Sequence, residues 1–336
     1  MIDFRYHLVS LISVFLALAV GIILGAGPLQ GTIGDQLTGQ VDALRTERND
    51  LRDSLTATQA DADKRLQFIE AAGPTLIEGT LEGKRVAVVD LDDVTASVQE
   101  GVQAEVEAAG GTVAVSARVT PSWTDEDHAG FRDTVASGMR PRLRSIVTDL
   151  PEDAPTEQLL STALAVALTH QAAPGFRSED ATALERQLIQ ADLITVDAEQ
   201  TQPADAVVLL SGGGGASTGS DKDASPAPAE TAMTSLVTLA GTVQTVAPVV
   251  VAGPTPTAGD VVSAVRGDNA VADQVTTVSG VESQVGQIVV PLAVAAHLTG
   301  TNGHYGSDDG STPLPPIVRP TDSTDGRQPA DQGGKG

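Results

Sequence analysis

The stretch Arg85-Val86-Ala87-Val88-Val89-Asp90 is four consecutive apolar residues between two charged ones. A continuous apolar run of this length, rather than an alternating one, belongs to a strand buried on both faces. Residues 95–109 then carry a helical pattern that Gly110-Gly111 ends, and residues 112–116 (TVAVS) return to β-branched side chains. The same alternation predicts strands at 192–196 (DLITV), 206–210 (AVVLL), 248–252 (PVVVA) and 275–278 (VTTV), with helices over 156–170, 182–190, 231–240, 258–265 and 281–299. Strands that alternate with helices build a mostly parallel sheet covered on both faces. Residues 84–305 therefore read as a doubly wound, Rossmann-like α/β domain.

Such domains take ligands at the carboxyl ends of their strands, where the strand order reverses, so three loops are candidate sites. Asp90-Leu91-Asp92-Asp93 follows the first strand, and three carboxylates there could ligate a hard cation. The favoured alternative is that Asp92 or Asp93 caps the next helix while the others stay solvated. Ser211-Gly212-Gly213-Gly214-Gly215 looks like a phosphate cradle, but a cradle requires a helix directly after it and a Lys, and here ASTGSDKDASPAPAE follows. Residues 211–229 read instead as a flexible insert. Gly253, in Val251-Ala252-Gly253-Pro254, could border a ligand, although a plain strand-to-helix turn accounts for it.

The chain has 336 residues, with 20 Lys plus Arg against 44 Asp plus Glu, for a net charge of −24. Aromatic residues make up 2%, so the core is built from Val, Ala, Leu and Ile, and neither clustered cations nor stacking platforms are present for nucleic acid. The absence of Cys excludes disulfides, thiolate metal sites and Cys nucleophiles. Five histidines, His7, His128, His170, His297 and His304, form no H-E-x-x-H pattern, and G-x-S-x-G is absent as well. No enzyme is expected. His297 and His304 are weak metal candidates, and a helix-end His that never meets a loop His is the commoner outcome.

Upstream of the domain, residues 8–27 open with LVSLISVFLALAVGIIL and carry no charge. About twenty helical residues span a bilayer, and this run is longer than a signal-peptide core and lacks a good cleavage site. Arg5 on the N-terminal side, with the acids Asp35 and Asp42 preceding the first downstream cation, predicts a cytoplasmic stub (1–7), an uncleaved single-pass anchor in the cell membrane, and an extracytoplasmic remainder. Over 36–72, apolar residues recur three and four apart at Leu37, Val41, Leu44, Leu51, Leu55 and Ala62, with Arg48 and Thr58 at the skipped positions. Leu66 and Ile69 continue the stripe slightly out of register, and Gly73-Pro74 stops it. Mixed charges flank the stripe, as on a coiled coil, and two copies anchored in one membrane favour a parallel homodimer. Residues 306–336 are Pro-, Gly-, Ser- and Asp-rich and read as a disordered tail.

The opening MIDFRYHLVSLISVFLALAVGIILGAGPL and the closing VTTVSGVESQVGQIVVPLAVAAHLTGTNGHYG resemble the mycobacterial copper transport protein B family, in order and with the coiled coil directly after the first. His304, Tyr305 and Gly306 belong to the closing signature. The resemblance implies copper homeostasis or efflux in the cell envelope, and a channel-forming outer-membrane role. Copper prefers Cys, Met and His, whereas here Cys is absent and Met1, Met139 and Met233 are dispersed. A spanning β-barrel needs many alternating segments, which this pattern lacks. The expectation is therefore a dimeric scaffold in the copper pathway that acts through an envelope protein partner rather than as a pore by itself. The alternatives are an envelope or cell-division scaffold or regulator unrelated to copper and, more weakly, a ligand-binding or hydrolase activity of the α/β domain.

Overall fold

In a computed structural model of the chain, residues 4–26, 28–198, 200–213, 226–257 and 259–319 are described. The chain divides into two units, Met1–Gln67 and Phe68–Gly336.

The first unit is helical. Helix α1 (Phe4–Ala26) is followed by the 50-residue α2 (Pro28–Ile77), which runs on into the second unit. Within α1, Arg5–Gly25 has a mean hydropathy of 2.7 and is the one described segment long and apolar enough to cross a membrane. On α2, Leu44, Leu51 and Leu55 are 63–65% exposed although they are apolar. Gly73-Pro74 does not stop the helix. Proline removes one backbone donor, and here that loss falls in the last turn, while Gly73 lets Ile288 approach where a Cβ would lie 2.5 Å from its Cδ1.

The second unit is built around a seven-stranded sheet. Its elements in order are β1 (Arg85–Asp90), α3 (Ala96–Ala108), β2 (Thr112–Val119), α4 (Ala129–Ile146), α5 (Thr156–Thr169), β3 (Gln171–Ala173), β4 (Phe176–Arg177), α6 (Glu179–Gln190), β5 (Ile194–Val196), β6 (Ala206–Leu210), α7 (Pro226–Val246), β7 (Val249–Gly253), α8 (Val261–Gly267), α9 (Asn269–Ala272), β8 (Thr276–Ser279), α10 (Gln284–Leu298) and β9 (His304–Tyr305). The sheet order is β5-β2-β1-β6-β7-β8-β9, and β3 and β4 pair separately. All pairings in the large sheet are parallel except β2 with β5. The strand expected at 192–196 is thus an antiparallel edge, entered through a left-handed turn at Asp192 (φ 53°) that brings the chain back against β2.

Period-two alternation assigns the side chains of each strand to two cores. Ala87, Val89, Val207, Leu209, Val249 and Val251 face α4 to α8, whereas Val86, Val88, Val208, Leu210, Val250 and Val278 face α3 and α10. Every residue of α5 from Leu159 to Leu168 is buried, so its Ser161 and Thr162 hydroxyls donate to the carbonyls of Glu157 and Gln158.

The tail expected from Gly306 is in fact held as far as residue 319. Gly306 N donates to Thr312 O (3.0 Å), Thr312 N to His304 O (2.9 Å), and Arg319 Nε to Glu78 O (3.0 Å). Composition alone misses this because the polar segment is fixed by individual hydrogen bonds rather than by apolar burial. The rest of the expected tail, 320–336, and residues 214–225 of the expected insert lie outside the described residues.

Candidate functional site

The strand order reverses beside β1, with β2 on one side and β6 on the other. The loops at their carboxyl ends bring Asp90, Asp92 and Asp93 next to Ser211, Gly212 and Gly213.

Asp90 ends β1 on the α3 side of the sheet and is fully buried. Its register partner on β2 is Arg118, whose Nη2 donates to Asp90 Oδ2 at 3.2 Å, while Oδ1 has no hydrogen-bond partner. Burial pushes the Asp90 carboxyl up to about 6, against the half-exposed Arg118 guanidinium that pulls it down, with further upward pushes from Asp197 and Asp92. This carboxyl can hold or release a proton near neutrality.

Asp92 is directed differently. Its Oδ2 accepts from Ser211 Oγ at 2.7 Å and its Oδ1 accepts from the Gly212 N–H. The expected helix cap is therefore not formed by either acid: Thr95 is the N-cap of α3 and makes no side-chain capping bond, and Asp93 is exposed. A Cβ on Gly212 would lie 2.1 Å from Asp93 O, and one on Gly213 would lie 2.4 Å from Pro254 Cγ. The glycines thus serve close approach of the chain to itself, and the Gly212 N–H that a phosphate would need is already given to the Asp92 carboxylate. Gly253 is part of the same closure: it ends β7, its O accepts from Val281 N (3.2 Å), and Val262 packs where a side chain would stand. Glu282 closes the edge further by accepting from Thr255 Oγ1 at 2.6 Å.

The two histidines do not converge. Thr276 and Thr277 are neighbours on β8, so their side chains point to opposite faces of the sheet. Thr276 Oγ1 is 2.9 Å from His297 Nδ1, and His297 Nε2 is 2.8 Å from Gln244 Oε1. Thr277 Oγ1 is 2.9 Å from His304 Nδ1 on the other face. Burial lowers both imidazoles below their ordinary value, and for His304 the nearby Arg266 guanidinium lowers it further. Among the described residues no group of three or more His, Asp or Glu side chains is placed to hold a metal ion.

The residues around the closing signature are structural in their contacts. Arg266 donates to Thr277 Oγ1 (2.8 Å), Asp308 Oδ2 (2.7 Å) and Tyr305 O (3.2 Å). Gly306 has φ 147°, and a Cβ there would overlap Ser279 Oγ. Sequence reasoning did not single out Arg118, Arg266 or Asp308. For Arg118 the available signal was an Arg inside an apolar strand, opposite the Asp that ends its neighbour.

The profile of the family described as "Copper transport outer membrane protein, MctB" matches residues 1–316. The chain is 27% identical over 324 residues to the copper transporter MctB of Mycobacterium tuberculosis and to that of Mycobacterium bovis, covering 93% of this chain and 98% of each relative. The match takes in the apolar N-terminal helix, which fits a membrane-anchored envelope protein. With the profile spanning α1 through the held segment after β9, the chain belongs to the MctB copper transport family.

Proposed function

We propose that the protein serves copper homeostasis or efflux from the cell envelope as a parallel dimeric scaffold, rather than by forming a pore or holding copper in its own ligand cage. In this reading α1 is the anchor with its N-terminus in the cytoplasm, α2 is a coiled-coil stalk, and the doubly wound domain is presented outside the cell membrane to an envelope protein partner. The observation that carries it is the row of apolar side chains on α2, Leu44, Leu51 and Leu55, exposed on a 50-residue helix. A helix of that length with an uncovered three-four stripe is stable in water when a second helix covers it.

Two measurements test the reading. Full-length protein exposed to copper in detergent and then dialysed should retain well under one copper per chain, and a stoichiometric, tightly held ion would overturn it. Deleting the protein in its host should raise copper sensitivity. Unchanged sensitivity would favour a scaffold or regulator unrelated to copper.

A second reading, a ligand site at the carboxyl edge of the sheet, is favoured by the unpartnered Asp90 Oδ1. It is opposed by the backbone packing of residues 93–94 against Gly212, and we therefore propose no catalytic role for that edge.

A further inference from the structure

In the second unit, the last turns of α2, one side of α10 and the segment after β9 enclose an open groove of about 740 Å³. Its walls include Ile69, Ala72 and Leu76 of α2, Ile288 and Val289 of α10, and Leu314. Phe68 stands on its rim and is 74% exposed.

Counting in sevens from Val41 through Arg48, Leu55 and Ala62 reaches Ile69 and Leu76, and counting from Leu44 through Leu51, Thr58 and Arg65 reaches Ala72. Leu66 is out of this frame, but Ile69 is in it. The three α2 residues in the groove wall therefore occupy the positions of the same heptad frame that carries the exposed leucines, and the frame becomes apolar again at the groove after Thr58 and Arg65.

The flanking positions say what covers it. In a parallel, in-register pair, the residue before each first seam position faces the residue five further on in the other chain. That rule sets Glu47 against Arg52 of a second copy, an attractive pair. An antiparallel arrangement would instead set like-type flanks together, so this one oppositely charged pair favours the parallel arrangement, while the pairs Gln40 with Arg45, Ser54 with Gln59 and Asp61 with Leu66 carry no preference. Applied to the groove, the rule sets Phe68 against Gly73 of the second copy. Gly73 is itself buried, and Ile288 of its own chain takes the space where a side chain would stand, so what Phe68 meets beside it is the apolar wall of α10. The exposed aromatic on one copy and that apolar wall on the other are complementary, and a two-fold axis repeats the contact.

We propose that the groove receives Phe68 and the last turns of α2 of a second copy, so that the dimer seam continues onto the globular unit. This rests on the parallel stalk proposed above. In this arrangement α10 and Leu314 form part of the dimer contact.

The chain lacks Cys, so single cysteines report without background. Full-length Leu51→Cys, Ala72→Cys and Glu70→Cys proteins in native membranes are treated with a short bismaleimide. The expected result is covalent dimer for Leu51→Cys and Ala72→Cys, little for the outward Glu70→Cys, and about tenfold weaker dimerisation when Phe68→Ala is added to Ala72→Cys. Because Phe68 is exposed, its loss leaves the fold of one copy intact. Dimer from Leu51→Cys without dimer from Ala72→Cys would overturn the groove contact while leaving the stalk. Failure of both would overturn the stalk as well. An undiminished yield with Phe68→Ala would also overturn the groove contact.

Discussion

The carboxylate of Asp92 ties the end of β6 to the end of β1, accepting from Ser211 Oγ at 2.7 Å and from the Gly212 N–H. The clasp matters because Gly212 must lie against the Asp93 carbonyl, where a Cβ would be 2.1 Å away. Gly212→Ala forces one loop off the other and should destabilise the protein by more than about 2 kcal/mol. Asp92→Ala leaves the Ser211 O–H and the Gly212 N–H without their acceptor, although Ser211 Oγ still accepts from Gly213 N, and should cost about 2 kcal/mol. Denaturant titration of the full-length protein in detergent checks both, and a parental midpoint for Gly212→Ala would contradict the closed edge.

Asp90 gives the stability a definite pH signature. Its carboxyl is raised by burial to about 6 in the folded chain, so the folded state favours the protonated form. That contribution is complete below the ordinary Asp value near 4 and is lost as pH rises through 6. Its full size is about 3 kcal/mol, from roughly two pH units at 1.36 kcal/mol each. Asp90→Asn removes this component, so Tm of the variant minus Tm of the parent should increase between pH 4 and pH 7. A difference that is flat with pH would show that Asp90 ionises without cost.

His297 and His304 each exchange a hydrogen bond with a threonine of β8, on opposite faces of the sheet. Replacing either should therefore lower stability rather than copper retention. His297→Ala removes one of two partners from each of Gln244 Oε1, which still accepts from Val249 N, and Thr276 Oγ1, which still donates to Asn302 Oδ1, and should cost about 1–2 kcal/mol. His304→Ala, half-buried, should cost about 1 kcal/mol. Copper content of the two variants, measured beside the parent after the same exposure, should be unchanged. Loss of a retained ion on replacing either one would overturn that expectation.

The strands of the sheet centre were legible because burial on both faces leaves only Val, Ala and Leu through Val86–Val89 of β1, the whole of β6 and Val249–Ala252 of β7. The helix α4 was not, since Pro141 and a mix of Arg, Gly and Ser hide its buried face of Ala136, Met139 and Leu143. The acids after β1 were legible as a group, but their division of labour was not. Asp90 turned towards Arg118 and Asp92 towards Ser211, and both partners are set by strand order, which joins residues 28 and 119 positions apart. The segment after Tyr305 failed for a related reason. A Gly-, Ser- and Asp-rich sequence is ordered here by Arg266, which comes from another element 42 residues earlier.

Arg266 supplies the last test. The Arg266 and Asp308 side chains are 16% and 15% exposed and lie 2.7 Å apart. Burial alone would push the Asp308 carboxyl up, but hydrogen bonds from Ser279 and Ser311 and the Arg266 guanidinium outweigh it and hold the group below the usual carboxylate range. A depressed carboxyl contributes stability that is present above its ordinary value and lost as pH falls through its folded value. The segment 306–319 should therefore loosen in acid before the sheet does. Arg266→Gln should loosen it at neutral pH, because Asp308 and the Tyr305 carbonyl both lose the guanidinium donor, the hydroxyls of Ser279 and Ser311 remain, and the Asp308 charge is left without a countercharge. Thermolysin cleavage near Leu314 and Ile317 reads the opening directly. A loss of about 1.4 kcal/mol in the closed state corresponds to tenfold faster cleavage. Arg266→Lys keeps the charge but not the three-way geometry, and should fall between the two. Cleavage of Arg266→Gln at the parental rate would mean that the apolar contacts of Leu314 hold the segment without Arg266.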